Sequence, residues 1–148
     1  MGFIDEIKAR AKADKKTIVL PETEDERTYK AAEAVLRDGT ANLILVGKKE
    51  EIEKNKKNYD ISGAVIVDPA TSEKTESYIA KLVELRQKKG MTEEKARELL
   101  LSNYLYYGVM MVKMKDADGM VSGACHSTAD TLRPCLQILK TKPGTKLV

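Results

Sequence analysis

The chain has 148 residues, of which 42% are hydrophobic and 33% are charged; these proportions indicate a globular domain with its own core and exclude a disordered chain. Lys and Arg total 26 against 23 Asp and Glu, so the formal net charge is only +3. This mild, evenly spread charge and an aromatic content of 5% give no support for a nucleic-acid partner.

Residues 1–16 predict an amphipathic helix with Phe3, Ile4, Ile7 and Ala11 on one face. The segment contains acids and lacks the apolar centre of a signal peptide. No apolar run in the sequence is long enough to span a bilayer, and two cysteines ten positions apart do not make a disulfide framework. We therefore expect a soluble, cytoplasmic protein with no membrane partner.

Short apolar runs then alternate with amphipathic stretches. Buried strands are predicted over residues 17–22 (TIVLPE), 42–47 (NLILVG) and 63–69 (GAVIVDP). Thr23 and Glu26 predict a capping box for a helix over residues 26–39, which Gly39 ends. Residues 48–58 predict a short, charged helix.

The second half continues the alternation. Thr71 or Ser72 can cap a helix over residues 73–90, which ends at Gly90, and Thr92 opens a further helix over residues 93–108. Three more elements are predicted: a fourth strand over residues 120–124 (MVSGA), a final helix over residues 130–140 (DTLRPCLQILK), and the start of another strand at residues 146–148.

Alternating strands and helices with nearly continuous apolar strands predict a doubly wound α/β fold, with a mostly parallel sheet and helices on both faces. Ligands of such sheets bind beyond the carboxyl ends of the strands. Three loops qualify as candidates: residues 21–25, 68–72 and 124–133.

The third loop has two interpretations. Hydroxyl groups and a guanidinium beside free N–H groups at a helix start could hold an anion. Alternatively, Ser127 and Asp130 form a capping box for a core helix that buries Leu132, Leu136 and Leu139. A helix that begins near Thr128 would contain Pro134, whereas a helix that begins at Pro134 would leave an irregular loop before it, which favours binding.

His126, the only histidine, is expected to be a hydrogen-bonding pocket residue. One histidine and two cysteines are thin support for a metal site, so no metal is expected. Cys125 directly precedes His126 in the chain. Consecutive residues of a strand point to opposite faces, which argues against a Cys–His nucleophile pair. Arg86, in the sequence RQKKG, suits the end of a helix better than a phosphate site, and neither a Walker loop nor GxGxxG is present.

Three stretches resemble the phosphate acetyltransferase (phosphotransacetylase) family in order and spacing. They are IVLPETEDERTYKAA, LVELRQKKGMTEEKA and, most specifically, YGVMMVKMKDADGMVSGACHSTADTLRPCLQILKTKPG. The resemblance implies reversible acetyl transfer between coenzyme A and inorganic phosphate, with coenzyme A and acetyl-CoA as substrates and no tightly bound cofactor. It also implies a fold similar to that of isocitrate dehydrogenases, with two α/β domains around a cleft, and a homodimer.

The resemblance further assigns roles to residues. Ser127, Thr131 and Arg133, with His126, would bind the phosphate of acetyl phosphate or orient the thioester, and Arg86 would bind coenzyme A. The family's catalytic serine, arginine and aspartate correspond to positions beyond 148, so no catalytic residue is expected here. Residues 1–148 are expected to form the N-terminal domain of the enzyme and to be inactive alone. Two alternatives are a non-catalytic interaction or regulatory module and a phosphate butyryltransferase-type enzyme.

Overall fold

The computed structural model describes residues 1–146. Within these residues four parallel strands form one sheet in the order β3-β2-β1-β4. The strands are β1 (Lys16–Leu20), β2 (Ala41–Val46), β3 (Val65–Val67) and β4 (Gly119–Met120). The predicted strand start at residues 146–148 falls on Leu147 and Val148, which lie outside the described residues.

Helices cover the sheet on two sides, as the alternation predicts. They are α1 (Phe3–Ala13), α2 (Glu26–Asp38), α3 (Lys49–Asn55), α4 (Thr75–Arg86), α5 (Glu93–Ser102), α6 (Tyr104–Lys113) and α7 (Thr128–Pro134). A 3₁₀ turn (Gln87–Lys89) follows α4, and a π-helical turn (Cys135–Leu139) follows α7. Among the described residues, no helix is long and apolar enough to cross a membrane.

The side-chain alternation of β2 divides the core into two layers. Leu43 and Leu45 pack with residues of α2 and α3, including Tyr29 and Ile52. Ile44 and Val46 face the opposite way, into a larger cluster formed mainly by α4, α5 and α6, with Tyr78, Leu82, Leu100, Tyr107 and Met110 fully buried. Both faces of the sheet are therefore covered, and the α/β fold with a parallel sheet is confirmed.

The predicted N-terminal helix forms as α1. None of the residues of α1, which the structure describes in full, is buried, and the side chain of Phe3 is 74% exposed. Its contact with the rest of the domain includes an ion pair between Lys8 Nζ and Asp38 Oδ2 at 3.0 Å. The apolar face read from the sequence therefore exists, but it does not contribute to the core.

The prediction of a single helix over residues 93–108 is wrong, because the helix is interrupted at Asn103. This residue is extended (φ −125°, ψ 102°), and its side chain accepts hydrogen bonds from the N–H groups of Leu105 and Tyr106. A new helix, α6, starts there and continues to Lys113. Because α6 is buried on most of its surface, it lacks the amphipathic pattern by which a helix is recognised from sequence.

The cap predicted at Thr23 is also wrong. Asp25 caps α2 by accepting from the N–H of Arg27, and the buried Thr23 hydroxyl donates to the carbonyl of Val46 at 2.8 Å. The cap predicted at Thr71 or Ser72 is wrong as well, because α4 begins only at Thr75. The hydroxyl oxygen of Ser72 accepts a hydrogen bond from the N–H of Lys74, the residue before the helix. The predicted stops are correct: Gly39 and Gly90 adopt the left-handed conformation that ends a helix, with φ 68° and 84°.

Candidate functional site

Two of the three predicted loops meet at the carboxyl ends of neighbouring strands. The loop over residues 21–25 follows β1, and the loop over residues 121–127 follows β4, which pairs with β1. The predicted fourth strand stops at Met120, and only the N–H of Val121 continues the pairing, with the carbonyl of Val19. The remaining candidate loop, residues 68–72, follows β3, two strands away from β1 in the sheet.

Glu22 joins the two loops. Its side chain is 3% exposed, and its carboxylate accepts the backbone N–H groups of Gly123, Ala124 and Cys125 at 2.6, 2.9 and 2.8 Å. The imidazole of His126 lies 2.8 Å away through Nδ1. Burial raises the pKa of Glu22, but these hydrogen bonds outweigh burial and hold the pKa well below its ordinary value. The carboxylate is therefore ionised and fixed.

Arg27 adds a second connection between the loops. Its guanidinium forms a fork with Asp25, at 2.9 Å from Nε and 2.7 Å from Nη2, and also donates to the carbonyl of Ala124. Asp25 is at the same time the cap of α2. Arg27, at the start of α2, therefore binds a carbonyl group of the loop, while Glu22 binds backbone N–H groups of the same loop. Neither role is visible in local sequence patterns, because the contacting residues lie 97 to 103 positions apart in the chain.

The expected separation of Cys125 from His126 is wrong. Both lie in an irregular loop where strand alternation does not apply, and both side chains turn to Glu22, with Cys125 Sγ 3.1 Å from Oε2. Burial and the nearby carboxylates of Glu22 and Glu24 raise the pKa of the Cys125 thiol far above its ordinary value. The thiol stays protonated, so the pair lacks the thiolate that nucleophilic catalysis needs.

Glu22, Cys125 and His126 also offer three potential metal-ligand atoms within 4.8 Å of one another. However, Glu22 Oε1 already accepts two hydrogen bonds and Oε2 three, against about four lone-pair sites on a carboxylate. A metal ion would have to displace backbone N–H groups from Glu22, and the Cys125 thiol, whose pKa is raised, would have to lose its proton. The geometry supports a hydrogen-bonded contact that fixes the loop over residues 121–127, rather than a metal centre.

His126 also lines a cleft. The cavity measures about 340 Å³ and is bordered by Pro21, Glu24, Ser102, Tyr104, Leu105 and His126. It lies where the two loops approach the start of α6. The predicted pocket role of His126 is thus compatible with its position, while its other ring nitrogen is held by Glu22.

The last helix begins at Thr128, so the interpretation of a binding loop that ends at Pro134 is wrong. Ser127 Oγ accepts from the N–H of Asp130 at 3.1 Å and donates to its carboxylate at 2.7 Å. Pro134 lies inside the helix and has no N–H for the carbonyl four residues earlier. The chain then changes to a π-helical turn, in which the N–H of Lys140 reaches the carbonyl of Cys135.

The other predicted residues of this segment lie along α7. Arg133 forms an ion pair with Asp130 at 3.2 Å and remains largely exposed, whereas the hydroxyl oxygen of Thr131 is buried with no hydrogen-bond partner among the described residues. The predicted core face is partly wrong, because Leu132 and Leu136 are exposed.

Arg86, at the end of α4, and Arg133, on α7, both act electrostatically on Tyr106. Burial raises the pKa of Tyr106 on α6, and the positive charges of Arg133 and Arg86 both act to lower it. The Tyr106 hydroxyl itself donates to Gln137 Oε1 at 2.8 Å. Two arginines from different helices therefore lie within electrostatic reach of one hydroxyl group.

Comparisons with known proteins agree on one family. The family model described as phosphate acetyl/butaryl transferase matches residues 2–148. The chain is 55% identical over its whole length to a phosphate acetyltransferase of Acetivibrio thermocellus, of which it covers 44%, and 51% identical to one of Thermoanaerobacterium thermosaccharolyticum, of which it covers 45%. The chain thus spans less than half the length of these relatives.

Two solved structures share the fold. A EutD phosphotransacetylase from Staphylococcus aureus superposes with a TM-score of 0.87 at 42% identity, over 97% of this chain and 44% of that one. A phosphotransacetylase from Streptococcus pyogenes gives 0.90 at 37% identity, over 99% and 46%. The chain therefore belongs to the phosphate acetyl/butaryl transferase family.

Proposed function

We propose that this chain forms one wall of the active site of a phosphate acetyltransferase, which transfers an acetyl group reversibly between coenzyme A and inorganic phosphate. The observation that carries the proposal is the loop over residues 121–127, which Glu22 fixes at the carboxyl ends of β1 and β4 directly before α7, the helix that carries Arg133. The high identity to phosphate acetyltransferases along the whole chain supports it.

Guanidinium groups suit these substrates because their rigid fork of donors matches phosphate oxygens. Acetyl phosphate and coenzyme A both carry phosphate groups, so two separate arginines serve two ligands. In this proposal Arg133 binds the phosphate of acetyl phosphate, and Arg86 binds coenzyme A. Ser127 contributes a hydroxyl group and His126 a ring nitrogen, whereas the buried hydroxyl oxygen of Thr131 would reach a ligand only after a rearrangement of α7.

No catalytic residue is proposed within residues 1–148. These residues form the first α/β domain of a two-domain subunit in this proposal, and the groups that act on the thiol and the oxyanion come from the part of the relatives that this chain does not cover. We also propose a cytoplasmic homodimer. Two free thiols fit a reducing compartment, and analytical ultracentrifugation and cell fractionation of the full protein test both points.

A chimera tests the proposed activity. The matching 148 residues of the Acetivibrio thermocellus enzyme are replaced by this chain, and acetyl-CoA formation from acetyl phosphate and coenzyme A is followed by thioester absorbance. We expect turnover by the chimera and only background turnover by this chain alone. A correctly folded chimera without activity, or one that prefers butyryl phosphate, would contradict the proposal.

Arg133→Ala in that chimera is expected to lower kcat/KM for acetyl phosphate by about 30- to 150-fold, which corresponds to about 2–3 kcal/mol for a lost charge-assisted hydrogen bond. Arg37→Ala is the matched control, since this arginine is similarly exposed and lies on α2. Equal kinetics for the two variants would remove Arg133 from the site.

A further inference from the structure

The contact between Glu22 and His126 determines which ring nitrogen carries a proton. Glu22 is ionised and therefore accepts hydrogen bonds but donates none. Nδ1 of His126 lies 2.8 Å from Oε2, so this nitrogen must be the donor. In the neutral ring the second nitrogen, Nε2, is then unprotonated and can only accept a hydrogen bond.

The other charged groups around the ring do not reverse this assignment. Cys125 Sγ lies 3.5 Å from Nδ1 and donates to Glu22, so it does not compete for the same position. Glu24 Oε1 lies 3.6 Å from Nε2, which is beyond hydrogen-bond distance. Nε2 is therefore not engaged by either group, and the ring lies on the border of the cleft of about 340 Å³.

We propose that Glu22 is a positioning residue that fixes the tautomer of His126: in the neutral form of the ring the proton stays on Nδ1, so that Nε2 can receive a hydrogen bond from a ligand in the cleft. The ligand group must then be a donor. The identity of the ligand rests on the proposed function, in which the reacting groups offer two donors: the S–H of coenzyme A and the P–OH of singly protonated phosphate.

The chain allows a direct test because His126 is its only histidine. After ¹⁵N-histidine labelling, two-bond ¹H–¹⁵N correlation spectra of this chain, recorded up to alkaline pH, show a single pair of ring nitrogens. We expect a protonated-type shift at Nδ1 and an unprotonated-type shift at Nε2. In Glu22→Gln the side-chain amide can donate to Nδ1, and the ring should convert to the opposite tautomer. Glu24→Gln is the control and should keep the wild-type pattern.

The wild-type spectrum decides the proposal even if Glu22→Gln folds poorly, since a proton on Nε2 or an equal mixture of tautomers would overturn it. Conversion in Glu24→Gln instead of Glu22→Gln would overturn it as well. Titration with coenzyme A, with acetyl-CoA and with inorganic phosphate then identifies the donor. A shift of Nε2 with coenzyme A but not acetyl-CoA indicates the thiol, a shift with phosphate indicates P–OH, and no shift with any of them overturns the ligand assignment.

These readouts need no turnover, so they separate the two proposals. An inactive chimera with the Nδ1–H tautomer intact would contradict only the proposed function. An active chimera with the opposite tautomer would contradict only the role of Glu22.

Discussion

Removing the carboxylate of Glu22 should destabilise the domain far more than removing an exposed carboxylate would. In Glu22→Ala the N–H groups of Gly123, Ala124 and Cys125 lose a charged acceptor. A hydrogen bond to a charged group contributes about 1.5–3 kcal/mol, and water can replace part of it because this loop is partly exposed. At about 1 kcal/mol for each donor, we expect a loss of about 3 kcal/mol in the free energy of unfolding.

Urea denaturation followed by far-UV circular dichroism measures this loss. The midpoint should fall while the slope stays unchanged, because the change affects stability and not the area exposed on unfolding. Against a total of about 5–15 kcal/mol for a typical domain, such a loss is a large fraction. Glu24→Ala is the matched control: its side chain is 53% exposed, and the expected loss is below about 0.5 kcal/mol. Equal losses in the two variants would refute the reasoning.

The difference in the free energy of unfolding between the wild type and a variant without the Glu22 carboxylate depends on pH with a definite sign. The folded pKa of Glu22 lies below its unfolded value of 4.5, so ionised Glu22 stabilises the folded state. The stabilisation is fully present above about pH 4.5 and is lost as the pH falls toward the folded pKa. The difference in the free energy of unfolding between the wild type and Glu22→Gln should therefore narrow as the pH falls below about 4.5.

Further predictions concern the thiol and α6. Cys125 should react with iodoacetamide at pH 9 more slowly in the folded than in the urea-unfolded chain, as measured by mass spectrometry, because its folded pKa is raised; equal rates would contradict this. Asn103→Ala removes the cap of α6 and should cost about 1 kcal/mol by urea denaturation, whereas no loss would argue for one continuous helix. Gly108→Ala would place a methyl group 2.8 Å from Met120 Sδ and 3.1 Å from Val19 Cγ1, and should cost about 1–2 kcal/mol despite its better helix propensity; a gain in stability would contradict this packing.

The sheet could be predicted because its strands are short apolar runs between clear stops. Such runs need no partner to be recognised, and glycines in the left-handed conformation mark where helices end. The break at Asn103 was missed for the opposite reason. The residues around it are nearly all apolar, and a buried helix gives no period from which its limits can be read.

The candidate site was predicted only in outline. The sequence indicated that ligand-binding residues would follow β1 and β4, but the contact from Glu22 to Gly123 spans 101 positions. Local patterns describe an acid by its nearest neighbours, and these place Glu22 at the end of the predicted strand over residues 17–22. Pro134 likewise suggested a loop, since a proline inside a helix is unfavourable, and the π-helical turn after it could not be read from its sequence.

One feature of β1 explains both the short fourth strand and the exposed loop beyond it. Pro21 has no N–H, so it cannot donate the next hydrogen bond to β4 after the one that the carbonyl of Val19 accepts from Val121. The next N–H groups of the partner, from Gly123 to Cys125, turn to the Glu22 carboxylate instead of a strand carbonyl. Because a side chain replaces the ladder, the alternation of a strand no longer applies there. That is why two consecutive side chains, of Cys125 and His126, can meet the same carboxylate while the imidazole ring still reaches the cleft.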